Sequence, residues 1–462
     1  MKALQIVPGV LVLAGVLCSC SSYQNLSAPP KVDASGLVRE GKADTVDTTS
    51  VADLPWKSWF ADPKLQALVA QALDSGTNVK IALSRVEASE ASLGSARAAQ
   101  FPSVTAEAGA AHTRTGSTLG TVSQSGTLGF SASWELDLWG RLSSASKAKY
   151  AALLESREYV NLVRTQVVAS VAGGYYQLLA LDKEIQVTQE TIELLEKNAQ
   201  TMASLKQAGS VTEAAVEQTN ATLYATQLSL FSLRQQVREQ ENALCILLGR
   251  KPGPVDRASL DQEEMPAGFH TGVPVRALAR RPDVRQAELA VEVAYATTDV
   301  ARASLYPTFA ITSSSTFLGL AGGLDGFFSP ENLMASLAAS ITQPVFNRAA
   351  LKANVKSAEA AQKEAVLNFS QTILAAGQEV SNIAFQYGQS QEKQELRQKQ
   401  IASLQKASEA TELLLAAGEV NYLEVLTARQ NLLTAKLDQI SDQLERLSCG
   451  VKLYQALGGG VR

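Results

Sequence analysis

Two periodicities divide this chain, and each predicts a different kind of element. Between Leu128 and Leu138 the even positions are apolar (Leu128, Phe130, Ala132, Trp134, Leu136, Leu138), and the odd ones are Gly129, Ser131, Ser133, Glu135 and Asp137. A period of two marks a strand with one dry and one wet face. Phe309, Ile311 and Phe317 alternate with Thr308, Thr312, Ser314 and Thr316; Leu333, Ala335, Leu337, Ala339 and Ile341 alternate with Ser336, Ser340 and Thr342. Val104, Ala106, Ala108 and Ala110 make a weaker fourth stretch. Strands are therefore expected over about 101–113, 126–139, 306–318 and 333–346. Each alternating run is about ten to twelve residues, the length a tilted strand needs to cross a bilayer. Phe101, Trp139, Tyr306 and Phe346 stand at the strand ends that adjoin helices, as half of an aromatic girdle would.

Elsewhere the apolar positions step by three and four. Leu178, Leu181, Ile185, Thr188, Ile192, Leu195, Ala199 and Met202 form one heptad series, Leu230, Leu233, Val237, Gln240, Leu244 and Leu247 a second, and Leu433, Leu437, Ile440, Leu444, Leu447, Val451 and Tyr454 a third. A 3.5-residue repeat keeps its seam on a partner only if the helices supercoil, so these predict coiled-coil walls over 141–208, 212–249, 349–416 and 421–457. At about 1.5 Å per residue, the longest would span about 100 Å.

The chain also repeats itself. Ala96-Arg97-Ala98-Ala99-Gln100-Phe101-Pro102 recurs as Ala301-Arg302-Ala303-Ser304-Leu305-Tyr306-Pro307, 205 residues later. Ala208-Gly209-Ser210-Val211 recurs as Ala417-Gly418-Glu419-Val420, and Leu248-Gly249 as Leu457-Gly458, both 209 residues later. Two copies of one unit, 56–250 and 275–458, follow each other across a connector at 251–274 and end in a tail at 459–462. No apolar run of eighteen residues exists beyond the N-terminus, so a membrane crossing must be made by strands. A spanning sheet must close, because open edges in lipid leave backbone groups unsatisfied. Four strands cannot close a usable barrel, whereas three copies supply twelve.

Composition narrows the function. With 41 basic and 45 acidic residues, the net charge of −4 gives nucleic acid no electrostatic footing as a partner. The two histidines, His112 in an expected loop and His270 in the connector, lack a GxSxG or HExxH context, which argues against an enzyme, and no cofactor is expected. Only four methionines argue against a soft-metal relay. At the N-terminus, Lys2 and the short apolar stretch Ile6–Leu17 read as a signal peptide over 1–19. Leu17-Cys18-Ser19-Cys20 resembles a lipobox, making Cys20 the acylated first residue of the mature chain, with 20–55 as anchor and extended arm. Ser21 after the Cys is compatible with outer-membrane sorting. Cys245 and Cys449 are expected as buried unpaired thiols, with a disulfide open to them in an oxidising compartment.

Taken together the chain resembles the outer-membrane efflux factors of the TolC and OprM class, in their lipidated branch. The marks are Cys20, the opening Pro55, Trp56, Trp59, Phe60, Asp62, Pro63 and Leu65, the Phe101-Pro102 pair, the run Trp134 to Arg141, and Arg280-Arg281-Pro282-Asp283-Val284. The resemblance implies an α+β membrane protein: a homotrimer with a twelve-stranded outer-membrane β-barrel, a periplasmic α-helical barrel and an equatorial belt. It implies a passive duct for drugs or other small toxic molecules, fed by a periplasmic adaptor and an inner-membrane resistance-nodulation-division pump. Adaptor contacts would fall at the tips Gly209, Val211, Gly418 and Val420, and a periplasmic gate at Leu423 and Glu424, with Thr427 where relatives usually have Asp. Glu107, Glu135 and Asp137 would face the lumen and favour cations. A structural trimeric coiled-coil lipoprotein is the competing class, and metal-ion or protein export are alternatives within the first.

Overall fold

The computed structural model describes residues 55–115, 121–263, 278–320 and 327–459. Cys20 with the signal peptide and arm, His270 with the latter part of the connector, and the last three residues lie outside the described residues. The elements run α1 (Trp56–Trp59), α2 (Pro63–Ser75), α3 (Thr77–Ala98), β1 (Ser103–Thr115), β2 (Thr121–Leu136), α4 (Arg141–Gln207), α5 (Glu213–Leu247), α6 (Pro282–Ala303), β3 (Thr308–Leu320), β4 (Leu333–Thr342), α7 (Arg348–Ala417) and α8 (Tyr422–Ala456), with short 3₁₀ turns at Leu260–Gln262 and Pro330–Asn332. The order helix, two strands, long helix, shorter helix occurs twice. None of the described helices is long and apolar enough to cross a membrane.

Two compact units divide the chain. One gathers Arg85–Arg157 and Gln286–Ser370, and with them all four strands. These form a single sheet in the order β1-β2-β3-β4, antiparallel throughout. Several strand boundaries differ from the sequence expectation, three of them for clear physical reasons. β2 stops at Leu136 because Asp137 turns away to accept from Leu142 N (2.9 Å) and Ser143 N (2.7 Å), capping α4. β4 stops at Thr342, just before Gln343-Pro344, where proline has no N–H to extend a ladder. At the other end the β1–β2 ladder runs out to Thr115↔Thr121, so His112 sits within β1 opposite Gln124 and not in a loop.

The other unit holds residues 55–84, Glu158–Arg285 and the chain from Gln371 onward. Here the N-terminal helices join α4 and α8: Trp59, Phe60, Leu65, Val69 and Ala72 are buried, as are Tyr175, Leu178, Leu179 and Tyr454. Tyr454 meets Trp59 and Phe60 with ring centroids 5.7 and 5.5 Å apart. Asp62 caps α2 by accepting from Lys64 N, Pro63 occupies the first helical turn, and Tyr175 Oη donates to the second Asp62 oxygen. The repeat shows again at the helix ends. Gly249 closes α5 against Ser75, and Gly458 closes α8 against Arg281, at points where a Cβ would meet backbone at 2.7 and 3.2 Å. Arg281 is buried there, bound to Asp283, Glu379 and the Ala456 carbonyl. Cys245 and Cys449 are free and buried, and burial pushes the Cys449 thiol up.

Candidate functional site

The strand register aligns the alternation across the sheet from Leu136 to Leu128, and beyond it the β1–β2 end puts His112, Arg114 and Gln124 at positions of the same face. Leu128, Phe317 and Leu333 form one cross-strand row, Trp134, Ile311 and Ala339 another, and Leu136, Phe309 and Ile341 a third. Val104, Ala106 and Ala108 of β1 fall on the same face, opposite Ala132, Phe130 and Leu128. Ser313 and Ser315 are the hydroxyl residues within that face. This chain does not cover it: Phe130 is 57% exposed, Ile341 67% and Leu337 77%. The opposite face carries Thr105, Glu107, Gly109, Ser131, Ser133, Thr312, Ser314, Thr316, Ser336 and Ser340, with Leu318, Leu320 and Met334 as its large apolar members. An apolar sheet face of this size without a core beneath it needs lipid or protein against it.

Aromatic residues mark both ends of the strands. At the helix end Trp139 stacks on Tyr306 (4.9 Å between centroids) and donates its indole N–H to the Pro307 carbonyl, while Trp134 donates to Gln100 O. Phe101 and Phe346 are exposed at the same end. At the opposite end Phe317, Phe327 and Phe328 form a cluster that sequence reading missed, with centroids 5.2 to 6.5 Å apart. The consecutive phenylalanines after a Gly-rich segment were the available signal. Two aromatic belts flanking an apolar band are the pattern of a membrane-spanning strand sheet.

The three acids expected at the lumen separate. Glu107 lies on the polar face opposite Gly129. Glu135 shares that face but accepts a forked pair from Arg141, at 2.6 and 2.7 Å from Nη2 and 3.1 Å from Nε. Asp137 is a correction: it lies beyond β2 and is spent on the α4 N-terminus, where the helix dipole also favours it.

Both helical hairpins turn at glycine. Gly209 and Gly418 have φ of +75°, the left-handed conformation glycine adopts most cheaply. In each, the residue after the glycine donates back to a carbonyl five residues earlier: Ser210 N to Leu205 O at 2.9 Å, Glu419 N to Leu414 O at 3.0 Å. The following helix is capped by Thr212 in one and Asn421 in the other. Val211 and Val420 are half-buried in equivalent places. Leu423 (62% exposed), Glu424 and Thr427 share the outer face of the first α8 turns, while Val425 and Leu426 are buried. Thr427 Oγ1 donates to Leu423 O at 2.8 Å, which occupies its hydroxyl hydrogen within the helix.

The interiors of the hairpins differ. Ile192, Leu195 and Leu223 form an apolar cluster between α4 and α5, with Ala199 and Leu230 against it. Between α7 and α8, whose apolar residues Val425, Leu426, Ala435 and Ile440 are also buried, a charged clamp stands in addition, unforeseen from sequence. Asp442, almost fully buried, accepts from Lys393 and Arg397 at 2.8 Å each; Arg397 also reaches Asp438 and Lys393 reaches Glu445, each at 2.9 Å. Burial alone would raise the Asp442 carboxyl, but its bonds to Lys393 and Arg397 outweigh that and hold it below the usual range. Nearer the tip Arg429 bonds Glu412. A cleft of about 470 Å³ lies between α5 and α8, lined by Thr222, Thr226, Ser229, Gln430, Leu433 and Leu437.

With this geometry in place, comparison with known proteins gives consistent matches. The outer membrane efflux protein family matches residues 68–250 and 273–459. The cation efflux system protein CusC of Escherichia coli O157:H7 is 26% identical over 465 aligned positions, covering 100% of this chain and 99% of CusC. The toluene efflux pump outer membrane protein TtgC of Pseudomonas putida is 28% identical, covering 97% of this chain and 94% of TtgC. Among solved structures, the open state of the MtrE outer membrane channel of Neisseria gonorrhoeae superposes with a TM-score of 0.81 at 27% identity, over 95% of this chain and 98% of MtrE.

Proposed function

Because the chain belongs to the outer membrane efflux protein family, a family of channels of the outer membrane, we propose that three copies assemble into the exit duct of a tripartite efflux system. The observation that carries this reading is the sheet: most of its large apolar residues share one exposed face between two aromatic belts, and β1 and β4 are both edges. In lipid those edges must pair with another chain. Three copies joined β4 to β1 give a closed sheet of twelve strands with the hydroxyl-rich face inward.

The lipid on Cys20 would hold each copy to the outer membrane, in keeping with the lipobox. The tips at Gly209, Val211, Gly418 and Val420 would meet the periplasmic adaptor, and an inner-membrane resistance-nodulation-division pump would supply the energy. Leu423 and Glu424 would pinch the resting duct, with Thr427 adding bulk but no charge. A hydroxyl-lined interior is not selective for one cargo, so the pump sets the substrate. Relatives named for cation and for toluene efflux fit that division of labour.

Conductance in planar bilayers tests the reading. The protein purified in detergent should have trimer mass and form small channels, and Leu423→Ala with Glu424→Ala should raise single-channel conductance several-fold. A water-soluble monomer would overturn the duct, and an unchanged conductance in the double variant would overturn the gate alone.

A further inference from the structure

Resting on the trimeric reading above, we propose that Glu107 sets the ion selectivity of the assembled barrel, as a ring of three uncompensated carboxylates on an otherwise neutral wall. The described residues of the polar face carry two charged side chains, Glu107 and Glu135. Glu135 is neutralised at contact distance by the guanidinium of Arg141. The forked pair leaves little field beyond itself. Glu107 has no such partner: no basic side chain among the described residues lies within ion-pair distance of it. Its own row across the sheet is Gly129, Thr316 and Met334. That row contributes no cation and no amide beside the carboxylate.

The surroundings make the exposure deliberate in physical terms. Gly109 follows Glu107 on the same face and Gly129 lies directly across. At both glycines an added Cβ would meet a threonine hydroxyl, at 2.7 and 2.6 Å respectively. The wall around Glu107 is therefore low and close-packed, and the carboxylate stands above it. Fixed charge in a water-filled lumen attracts counter-ions within roughly a Debye length, about 30 Å at 0.01 M salt but about 3 Å at 1 M. Selectivity for small cations should accordingly be strong in dilute salt and fade in concentrated salt.

The test is the reversal potential of the full-length trimer in planar bilayers under a KCl gradient. Wild type should prefer potassium at low salt. In a Glu424→Gln background, which removes the carboxylates of the proposed gate, Glu107→Gln should bring the permeability ratio close to unity, Glu107→Lys should invert it, and Glu107→Asp should retain it. The charge-neutral double variant Glu135→Gln with Arg141→Gln should leave it unchanged. A Glu107→Gln channel as selective as its Glu424→Gln parent overturns the proposal while leaving the duct standing. Should the gate keep conductance too low to read, cysteine labelling decides. Glu107→Cys should react with a charged maleimide from water, whereas Ala106→Cys and Ala108→Cys, on the apolar face, should not, and native Cys245 and Cys449 are buried. The opposite labelling pattern overturns the proposal. A soluble monomer would instead defeat the trimeric reading beneath it.

Discussion

The two helical hairpins share their glycine turns and nearly their lengths, yet the second adds a buried ion cluster to its apolar contacts. α4 and α5 close over Ile192, Leu195 and Leu223. α7 and α8 close over Lys393, Arg397, Asp438 and Asp442. Counting back 209 residues, Thr188, Ser229 and Leu233 stand where the second copy has Arg397, Asp438 and Asp442. The second copy keeps apolar residues, Ile401, Leu404 and Leu432, where the first has Ile192, Leu195 and Leu223, and adds the ion cluster at another level of the hairpin. An apolar seam tolerates sliding because it is non-directional, whereas a hydrogen-bonded ion cluster fixes register. The ionic hairpin is also the one bearing Leu423 and Glu424. A hairpin that moved at the proposed gate would be served by helices locked to each other and loosely seated on their neighbour, as the cleft between α5 and α8 allows.

Removing the ionic lock should have the largest effect. Asp442→Ala leaves two cations facing a buried void, and breaking such a pair costs about 3–5 kcal/mol. Hydrogen exchange of α7 and α8 amides in the detergent-solubilised protein should quicken about a hundredfold or more, with α4 and α5 unchanged. Leu195→Ala should do the reverse, opening α4 and α5 at a cost of about 2–4 kcal/mol. Equal effects on both hairpins from either variant would erase the distinction.

Acid gives the same contrast without mutation. The folded Asp442 carboxyl lies below its unfolded value, so its contribution is complete above about pH 4 and is lost as pH falls through the folded value. Exchange in α7 and α8 should therefore rise on acidification before that in α4 and α5. Glu263 has the opposite sign. Burial, the nearby Asp62 charge and a hydrogen bond to Asp62 push its carboxyl up to about 7. Its ionisation therefore weakens the unit that joins α2 to α4 as pH rises through neutrality. Glu263→Gln should raise thermal stability at pH 8 and leave it nearly unchanged at pH 5. The smallest effect is expected of Lys393→Met, since Lys393 is half exposed and Arg397 remains on Asp442: below about 1 kcal/mol by the same exchange measurement.

Much of this protein was written in its periodicities. Steps of two and of 3.5 are local consequences of backbone geometry, so the strands, the long helices and the duplication were legible. So was glycine at 209 and 418, where the helix end demands a left-handed residue. Glu107 could be assigned to the polar face from alternation alone. What the linear chain does not encode is which side chains arrive together. Asp137 reads as one more odd position of a strand, and only the turn into α4 converts it into a cap. Arg141 and Glu135 are six residues apart on different elements, and Arg397 and Asp442 are 45 apart on facing helices. Whether a carboxylate is free in a lumen, neutralised or buried in a clamp depends on groups a few ångströms away in space, and that distance is a property of the folded chain.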